Sequence, residues 1–429
     1  MTPTGSRPDE RKDLQDFTGL SHAPIVAYLQ EQALPRTPRQ KDAGTLPGIF
    51  QKMKMFLPNN QWRWISEYLR YRIGRKHPFL RYEDPERDNG IYPLEGDGGQ
   101  GADEIRVALA GDWGTGTDEA FMVAERITSF DPHYSIHLGD IYFVGDPTEV
   151  RENFLGIPNP LHAYKPCLWP KGSRGTFSLN ANHEMYARGY GYFPLMLPSL
   201  GLNIQGRAQG QKASFFCLEN PYWRLIALDT GYRSIGIPII EDIPFFSPDC
   251  ALPEPLVAWL RESVFRPGDK RGIVLLGHHQ YCSSFSPWFT KQAEQLAPFI
   301  DRPVLWFWGH EHRLTIYERF QTGKGITAFG RCIGHGGMPI ALPPDQVIHP
   351  ECRAEFLDHR LYSNDENLKV GFNGFARLKF RRETLAVEYV DLNDTVLFEE
   401  NWKVQEGGAL ERTAASAPLL QKPESIPES

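Results

Sequence analysis

Short apolar runs that end in a small residue recur through the middle of the chain. The first, IRVALAG at residues 105–111, is typical of a buried strand, and the segment after it is predicted to be a helix with Thr117 or Asp118 as its N-cap. The apolar positions of this helix are Phe121, Ala124 and Ile127. Further strands are predicted at SIHLGD, TFSLN, WRLIALD, GIVLLG and VLWFWG. This alternation of strands with helical and loop segments predicts an α/β fold.

Several of these strands end just before residues of metal-binding types. The five segments are GDWG at 111–114, GDIY at 139–142, NHE at 182–184, GHH at 277–279 and GHEH at 309–312. Ligands in open α/β sheets collect at the carboxyl ends of strands, and mixed carboxylate, amide and imidazole donors suit first-row metals such as Fe, Mn and Zn. Two such ions roughly 3.5–4 Å apart can share a carboxylate. Each segment alone is weak, but the five together predict a dinuclear metal site.

The five segments resemble the calcineurin-like metallophosphoesterase superfamily, and within it the purple acid phosphatase branch. That pattern is GD, GD, GNH[DE], a lone His after an apolar strand, and GHxH. The resemblance covers roughly residues 105–330, with a weaker likeness in GFNGF at 371–375 and in AVEYVD. It implies the metallo-dependent phosphatase fold, a four-layer α/β/β/α sandwich of two mixed β-sheets flanked by helices. The strand and helix pattern alone does not choose this α+β arrangement over a doubly wound sheet.

The resemblance also implies roles for individual residues around two transition-metal ions, which would be Fe, Mn or Zn. The implied ligands are Asp112 and His312 for the first ion, Asp140 as the bridge, and Asn182, His278 and His310 for the second ion. His183 would orient the substrate and protonate the leaving oxygen, a task that suits an imidazole near its working pH.

Three positions depart from the family pattern. Gly114 stands where the superfamily has a metal-binding His, and Ala181 replaces the Gly of GNH[DE]. The purple acid phosphatases use a tyrosine three residues beyond the bridging Asp, but here Phe143 has that spacing and Tyr142 comes one residue earlier. Adjacent side chains of a strand point to opposite faces, so this shift matters, although a bulged loop would restore the reach. Tyr142 is therefore a candidate ligand of the first metal.

Two further histidines are candidate substrate-binding residues. His279 follows a predicted ligand, where it could contact phosphate or hydrogen-bond to a neighbouring group. His335 lies in IGHGG, a glycine-rich segment of the kind that can border a site.

The implied function is hydrolysis of a small-molecule phosphate ester by in-line attack of a metal-held hydroxide, with a phosphomonoesterase favoured. A phosphodiesterase acting on a cyclic nucleotide or a lipid diester would use the same site. A protein of a different class, a non-catalytic scaffold that retains the fold, is the remaining alternative.

Composition and charge narrow the possible partners. The 429 residues carry a net charge of −7 and have a pI near 6.0, which argues against nucleic acid as a partner. We find no apolar stretch long enough for a transmembrane segment and no secretory signal. The six cysteines form no CxxC pair, which favours reduced thiols and a cytoplasmic location.

The chain divides into three regions by composition. Residues 1–100 are predicted to be a mostly helical N-terminal extension, residues 101–404 the catalytic domain, and residues 405–429 a disordered tail with few apolar positions. The extension contains apolar residues at helical spacing, surrounded by arginines: Trp62, Ile65, Leu69 and Ile73. This helix could bind an anionic membrane or a partner, but packing against the catalytic domain is favoured.

Overall fold

The computed structural model describes residues 70–71, 74–98, 104–160, 165–235, 249–338, 347–363 and 369–416. Their strands are β1 (Ile91–Pro93), β2 (Ile105–Ala110), β3 (Tyr134–His137), β4 (Gly175–Ser178), β5 (Gly201–Ile204), β6 (Arg207–Ala208), β7 (Phe216–Glu219), β8 (Trp223–Ala227), β9 (Gly272–Leu276), β10 (Val304–Trp308), β11 (Leu314–Phe320), β12 (Ala328–Ile333), β13 (Ala354–Leu357), β14 (Leu361–Ser363), β15 (Lys369–Gly371), β16 (Gly374–Arg381), β17 (Thr384–Asp391), β18 (Val396–Val404) and β19 (Leu410–Ser416). Their α-helices are α1 (Asp118–Phe130), α2 (Pro147–Asn153), α3 (Asn182–Tyr186), α4 (Glu254–Trp259) and α5 (Lys291–Leu296). Single π-helical turns follow at Tyr192–Met196 and Leu260–Val264, and a 3₁₀ turn at Leu197–Ser199.

Most of these strands form two large mixed sheets. The order of the first is β1-β7-β8-β9-β10-β12-β11-β13, and that of the second is β19-β18-β17-β16-β2-β3-β4-β5-β6, with β14 and β15 forming a small separate pair. Strands β8, β9, β10 and β12 are parallel in the first sheet, and β2, β3 and β4 are parallel in the second. All of these parallel strands except β12 correspond to strands predicted from the apolar runs.

The two sheets pack face to face through apolar side chains, and helices cover their outer faces. Leu109 and Ile136 of the second sheet meet Leu276 and Phe307 of the first in one buried cluster. Helix α1 packs its Ile127 on the outer face of the second sheet. Helices α4 and α5 pack on the outer face of the first sheet. The four-layer sandwich of two mixed sheets flanked by helices is thereby confirmed.

The helix predicted after β2 begins where the sequence indicates. Thr117 has an extended backbone, and its side chain accepts a hydrogen bond from the backbone N–H of Ala120, so it is the N-cap of α1. Ala124 and Ile127 are buried against the sheet.

The sandwich extends beyond both predicted boundaries of the catalytic domain. β1 lies within the predicted extension yet pairs with β7, and His77 stacks on Phe193 with a centroid distance of 5.0 Å. β19 lies within the predicted tail yet pairs with β18. Most of its side chains are exposed, so this edge strand lacks the apolar pattern that identifies a buried strand. The predicted amphipathic helix at positions 62–73 lies outside the described residues.

Two other expectations concern the whole of the described chain. All six cysteines are buried and form no disulfide. Among the described residues there is no helix with the length and apolarity that crossing a bilayer requires.

Candidate metal centre

The predicted ligands meet at one edge of the sandwich because they follow parallel strands of both sheets. Beyond the ends of β2, β3 and β4 come Asp112, Asp140 and Asn182, and beyond β9 and β10 come His278, His310 and His312. Glycines bring the two sets together. A Cβ on Gly111 would lie only 3.0 Å from the Cα of Gly309 in the opposite sheet, so a side chain there would push the sheets apart.

Three of these residues have a left-handed backbone conformation that is uncommon outside glycine. The φ angles are 59° at Asp112, 73° at Asp140 and 68° at His310. Such conformations cost free energy and persist where the surrounding structure imposes them, which is frequent at functional sites. The tight turns at the strand ends therefore aim these side chains at the common edge.

Carboxylate, amide and imidazole groups are in direct contact at this edge. Oδ2 of Asp140 lies 3.3 Å from Nε2 of His278, and Oδ1 of Asn182 lies 3.1 Å from the same nitrogen. Nε2 of His312 lies 3.5 Å from Oδ1 of Asp112. Possible ligand atoms of Asp112, Asp140 and His278 all lie within 4.8 Å of one another. The sequence-predicted ligands thus form one compact cluster.

Backbone carbonyls orient two of the imidazoles. Nδ1 of His278 lies 2.9 Å from the carbonyl oxygen of Leu138, which leaves Nε2 facing the cluster. Nδ1 of His183 lies 2.6 Å from the carbonyl oxygen of Phe143, which leaves its Nε2 3.8 Å from Oδ2 of Asp140. His183 therefore borders the cluster next to the predicted bridging carboxylate.

Tyr142 reaches the cluster despite its shifted position in the sequence. Its phenol oxygen lies 2.7 Å from Oδ1 of Asp112, 3.2 Å from Oδ2 of Asp140 and 3.0 Å from Nε2 of His312. Phe143, which has the family spacing, is buried in the core beneath α1 and α2. The structure thus brings Tyr142, and not its neighbour, to the residues predicted to hold the first metal.

Glu184 supports the turn that carries Asp140. Its carboxylate accepts hydrogen bonds from the backbone N–H groups of Asp140, Ile141 and Ala181 at 3.3, 2.9 and 3.1 Å. These bonds join the loop after β3 to the loop after β4. Burial, together with the charge of Asp140, raises the pKa of Glu184 to about 8.

The charged groups of the cluster shift one another's pKa values. Burial alone would raise the pKa of Asp140, but His183 and His278 lower it well below its usual value. Burial alone would lower the pKa of His278, but Asp140 raises it to about 9. Burial and the charges of Asp112 and Asp140 raise the pKa of Tyr142. The buried carboxylates thus favour positive charge at this edge of the sandwich.

The two predicted substrate-binding histidines have different surroundings. The rings of His279 and His310 are 4.5 Å apart, and nitrogens of His278, His279 and His310 lie within 4.8 Å of one another. His335 is absent from these groups of the described residues. Its ring is buried, and burial lowers its pKa to about 4, although the charges of Asp358 and Asp391 oppose that effect. The segment that carries His335 borders the cluster, because the backbone N–H of Gly336 donates to the carbonyl of Gly111 at 2.9 Å. The substrate contact by His335 stays a prediction.

The loop after β8 is a part of the site that sequence motifs missed. Thr230 contacts the backbone of both His278 and His279, and Asp229 accepts hydrogen bonds from Asn180 at 3.1 and 3.2 Å. The only signal in the sequence is that the run WRLIALD ends in a carboxylate residue, Asp229, as SIHLGD ends in Asp140. Because this carboxylate contacts other protein groups and not the cluster, motif spacing cannot identify its role.

The donor set fits a pair of transition-metal ions. Two buried carboxylates, one amide oxygen and several imidazoles converge, and among the described residues no Lys or Arg makes an ion pair with Asp112 or Asp140. Hard oxygen donors mixed with imidazoles are the set expected for Fe, Mn or Zn. Carboxylates buried without a cationic side chain are costly unless an ion or imidazolium neutralises them.

Comparison with known proteins gives one family and several distant structures. A sequence model of the calcineurin-like phosphoesterase family matches residues 105–314. GAP50, the anchor in the inner membrane complex of Plasmodium, is 13% identical with a TM-score of 0.42, over 71% of this chain and 90% of that chain. PhoD is 12% identical with a TM-score of 0.44, over 74% of this chain and 72% of that chain. Vacuolar Protein Sorting 29 from Cryptosporidium parvum is 10% identical with a TM-score of 0.27, over 73% and 98%. No curated protein matches the sequence.

The sandwich and its clusters of His and Asp define a protein of the metallophosphatase type. Residues 105–314 match the calcineurin-like phosphoesterase family, which confirms the resemblance at the level of the superfamily.

Proposed function

We propose that this protein is a dinuclear metal-dependent phosphoesterase that acts on small-molecule phosphate monoesters. The observation that carries the proposal is the convergence of Asp112 and Asp140, both buried, with the imidazoles of His278 and His312 at one edge of the sandwich. The family match is consistent with this activity. A scaffold would have no need for the oriented His183 beside the bridging carboxylate, so a catalytic protein is favoured over a decayed site.

The proposed ligands divide between the two ions. Asp112, Tyr142 and His312 would hold the first ion, Asp140 would bridge, and Asn182, His278 and His310 would hold the second. When bound, the ions would activate water as the nucleophile and neutralise the phosphoryl oxygens. The contact of Tyr142 with Asp112 and His312 supports its inclusion and the likeness to the purple acid phosphatase branch, which favours iron in the first position.

His183 would give a proton to the leaving oxygen. Its Nδ1 is held by the carbonyl of Phe143, so the donated proton would come from Nε2, which faces the cluster beside Asp140. Burial lowers the pKa of His183, while Asp140 opposes that effect. A general acid must carry its proton at the working pH, so the charge of Asp140 favours this role.

Turnover of two aryl esters tests the proposal. Metal-loaded protein should hydrolyse 4-nitrophenyl phosphate faster than bis(4-nitrophenyl) phosphate. Preference for the diester would replace the monoesterase with a phosphodiesterase that uses the same residues. Activity on neither ester, with two metal ions bound per chain, would indicate a non-catalytic scaffold.

A further inference from the structure

The hydroxyl of Thr230 makes every hydrogen bond that a hydroxyl can make, and all of them go to the two adjacent histidines. Its Oγ accepts the backbone N–H of His278 at 3.2 Å and that of His279 at 3.1 Å. The same oxygen lies 2.9 Å from Nδ1 of His279. Thr230 is fully buried. The Thr230 side chain thus holds the main chain at His278, a predicted metal ligand, and also the ring of His279.

This arrangement determines the tautomer of His279. A hydroxyl has two acceptor lone pairs and one hydrogen. The two backbone N–H groups occupy the lone pairs, so the hydrogen of Thr230 points to Nδ1 of His279. Nδ1 is then an acceptor, and the neutral ring carries its proton on Nε2. A metal ligand needs a nitrogen lone pair, and neither nitrogen of His279 offers one in this state.

The loop that carries Thr230 is fixed to the loop that carries Asn182. The carboxylate of Asp229 accepts hydrogen bonds from the side chains of Asn180 and Ser214 and from the backbone of Tyr232. A Cβ on Gly231 would lie 2.6 Å from the Cα of Ala181, so the two loops are in close contact. The loop after β8 therefore touches two of the chain segments that bring ligands to the second ion, those of Asn182 and His278.

We propose that Thr230 is a positioning residue. It orders His278 as a ligand and holds His279 as an N–H donor beside the centre, not as a further ligand. The donor would contact a phosphoryl oxygen of the bound ester. The inference about metal affinity and tautomer concerns this chain's own hydrogen bonds, whereas the contact with phosphate rests on the proposed function.

Isosteric substitution of Thr230 tests the positioning role. Thr230→Val removes the hydroxyl and keeps the shape, and Thr230→Ser restores the hydroxyl. We expect Thr230→Val to weaken Mn²⁺ binding at the site of the second ion, which His278 would hold, by about 10- to 100-fold. Chelator competition without substrate measures this affinity, and the size is the usual effect of losing a hydrogen bond behind a ligand. Thr230→Ser should stay within about threefold of the wild type. Thr315→Val is the matched control, because the Thr315 hydroxyl is buried and has no partner among the described residues. Equal Mn²⁺ affinity in Thr230→Val and the wild type would overturn the positioning role.

The tautomer is tested separately, on metal-free protein. Ring ¹⁵N chemical shifts of His279 should show a protonated Nε2 in the wild type, with the assignment made by comparison with His279→Leu. A protonated Nδ1 would overturn the inference even if Thr230→Val failed to fold.

Metal counting and inhibition complete the test. His279→Leu should still bind as many ions as the wild type, while its inhibition constant for inorganic phosphate should rise by about tenfold, the effect of one lost hydrogen bond. Loss of an ion in His279→Leu would make His279 a ligand and refute the proposal. If the wild type hydrolyses no ester while Thr230→Val still binds Mn²⁺ more weakly, the proposed function fails and the positioning role stands. If the wild type is active and Thr230→Val binds Mn²⁺ as tightly as the wild type, the positioning role fails and the proposed function stands.

Discussion

The phenol oxygen of Tyr142 lies 2.7 Å from Oδ1 of Asp112, although Tyr142 stands one residue short of the position that the family pattern gives to a tyrosine. The turn after β3 is therefore shaped so that the earlier residue points into the cluster. Phe143 has the expected spacing, yet its side chain is buried in the core and only its carbonyl serves the site, as the acceptor for His183. The phenol of Tyr142 thus faces the same cluster as Asp140, whereas the ring of Phe143 faces the core.

Substitution of Tyr142 should remove a visible absorption band. In iron-loaded, oxidised protein we expect a tyrosinate-to-iron charge-transfer band in the wild type and none in Tyr142→Phe, since the phenol oxygen is the ligand atom. Phe143→Leu changes the neighbouring aromatic residue without touching that oxygen and should retain the band. An oxidised wild type that holds iron but lacks the band would exclude Tyr142 as a ligand.

The sequence predicts most of the parallel strands, and places the candidate site residues at their ends, because both have strong local patterns. A run such as GIVLLG is buried on both faces in β9, so it is continuously apolar, and the ligand His278 comes directly after it. The edge strands β1 and β19 lack this pattern. β19 is mostly exposed, and its pairing with β18 depends on open backbone groups of the sheet edge, not on its side chains.

Residues that act through hydrogen bonds to the main chain could not be predicted in the same way. Thr230 holds His278 and His279, but its position near them depends on sheet order, since β8 and β9 are neighbours in the structure. His335 has a local signal instead. The glycine-rich segment that contains it does border the site, because the backbone N–H of Gly336 donates to the carbonyl of Gly111 and that of Met338 donates to the carbonyl of Asp112. Its contact with substrate stays a prediction.

Substitution of His183 should lower turnover, whereas substitution of Asp140 should lower metal content. His183→Ala should keep two bound metal ions and lose about 10²- to 10⁴-fold in kcat, because it removes a general acid and no ligand. Asp140→Ala should lose metal, because it removes the proposed bridge. Both are measured by metal analysis and by hydrolysis of 4-nitrophenyl phosphate. His133→Ala, at a buried histidine outside the cluster, should change neither property. Unchanged metal content in Asp140→Ala would refute the bridging assignment.

A buried ion pair between the two sheets should contribute strongly to the free energy of unfolding. Nε and the terminal nitrogen of Arg331 in β12 donate to Glu400 in β18 at 2.7 Å each, and Tyr389 donates to the same carboxylate at 2.8 Å. Both charged residues are fully buried. Arg331→Met should lower the free energy of unfolding by about 3–5 kcal/mol, because the buried carboxylate of Glu400 then loses its hydrogen-bonded cation and keeps only Arg412, 3.7 Å away.

Urea unfolding of two further variants checks that reason. Arg331→Met combined with Glu400→Leu should recover part of the loss, since no unpaired charge remains. Arg381→Met breaks an exposed pair with Glu104 and should cost less than about 1 kcal/mol. If the double variant is as unstable as the single one, loss of packing and not the buried charge explains the effect.

The carboxylate of Asp269 should make stability depend on pH in the acid range. Burial alone would raise its pKa, but hydrogen bonds from Arg271 and the charge of Arg224 lower it from 3.8 to about 2. A carboxyl whose pKa is lower in the folded protein contributes stability above its unfolded value, and this contribution is lost as the pH falls from about 4 to about 2. Solvent screening limits it to about 1 kcal/mol. In urea unfolding, Asp269→Asn should therefore be less stable than the wild type at about pH 6, and the difference should shrink at about pH 3. A difference of the same size at both pH values would show that the ion pair with Arg224 and Arg271 does not contribute through its charge.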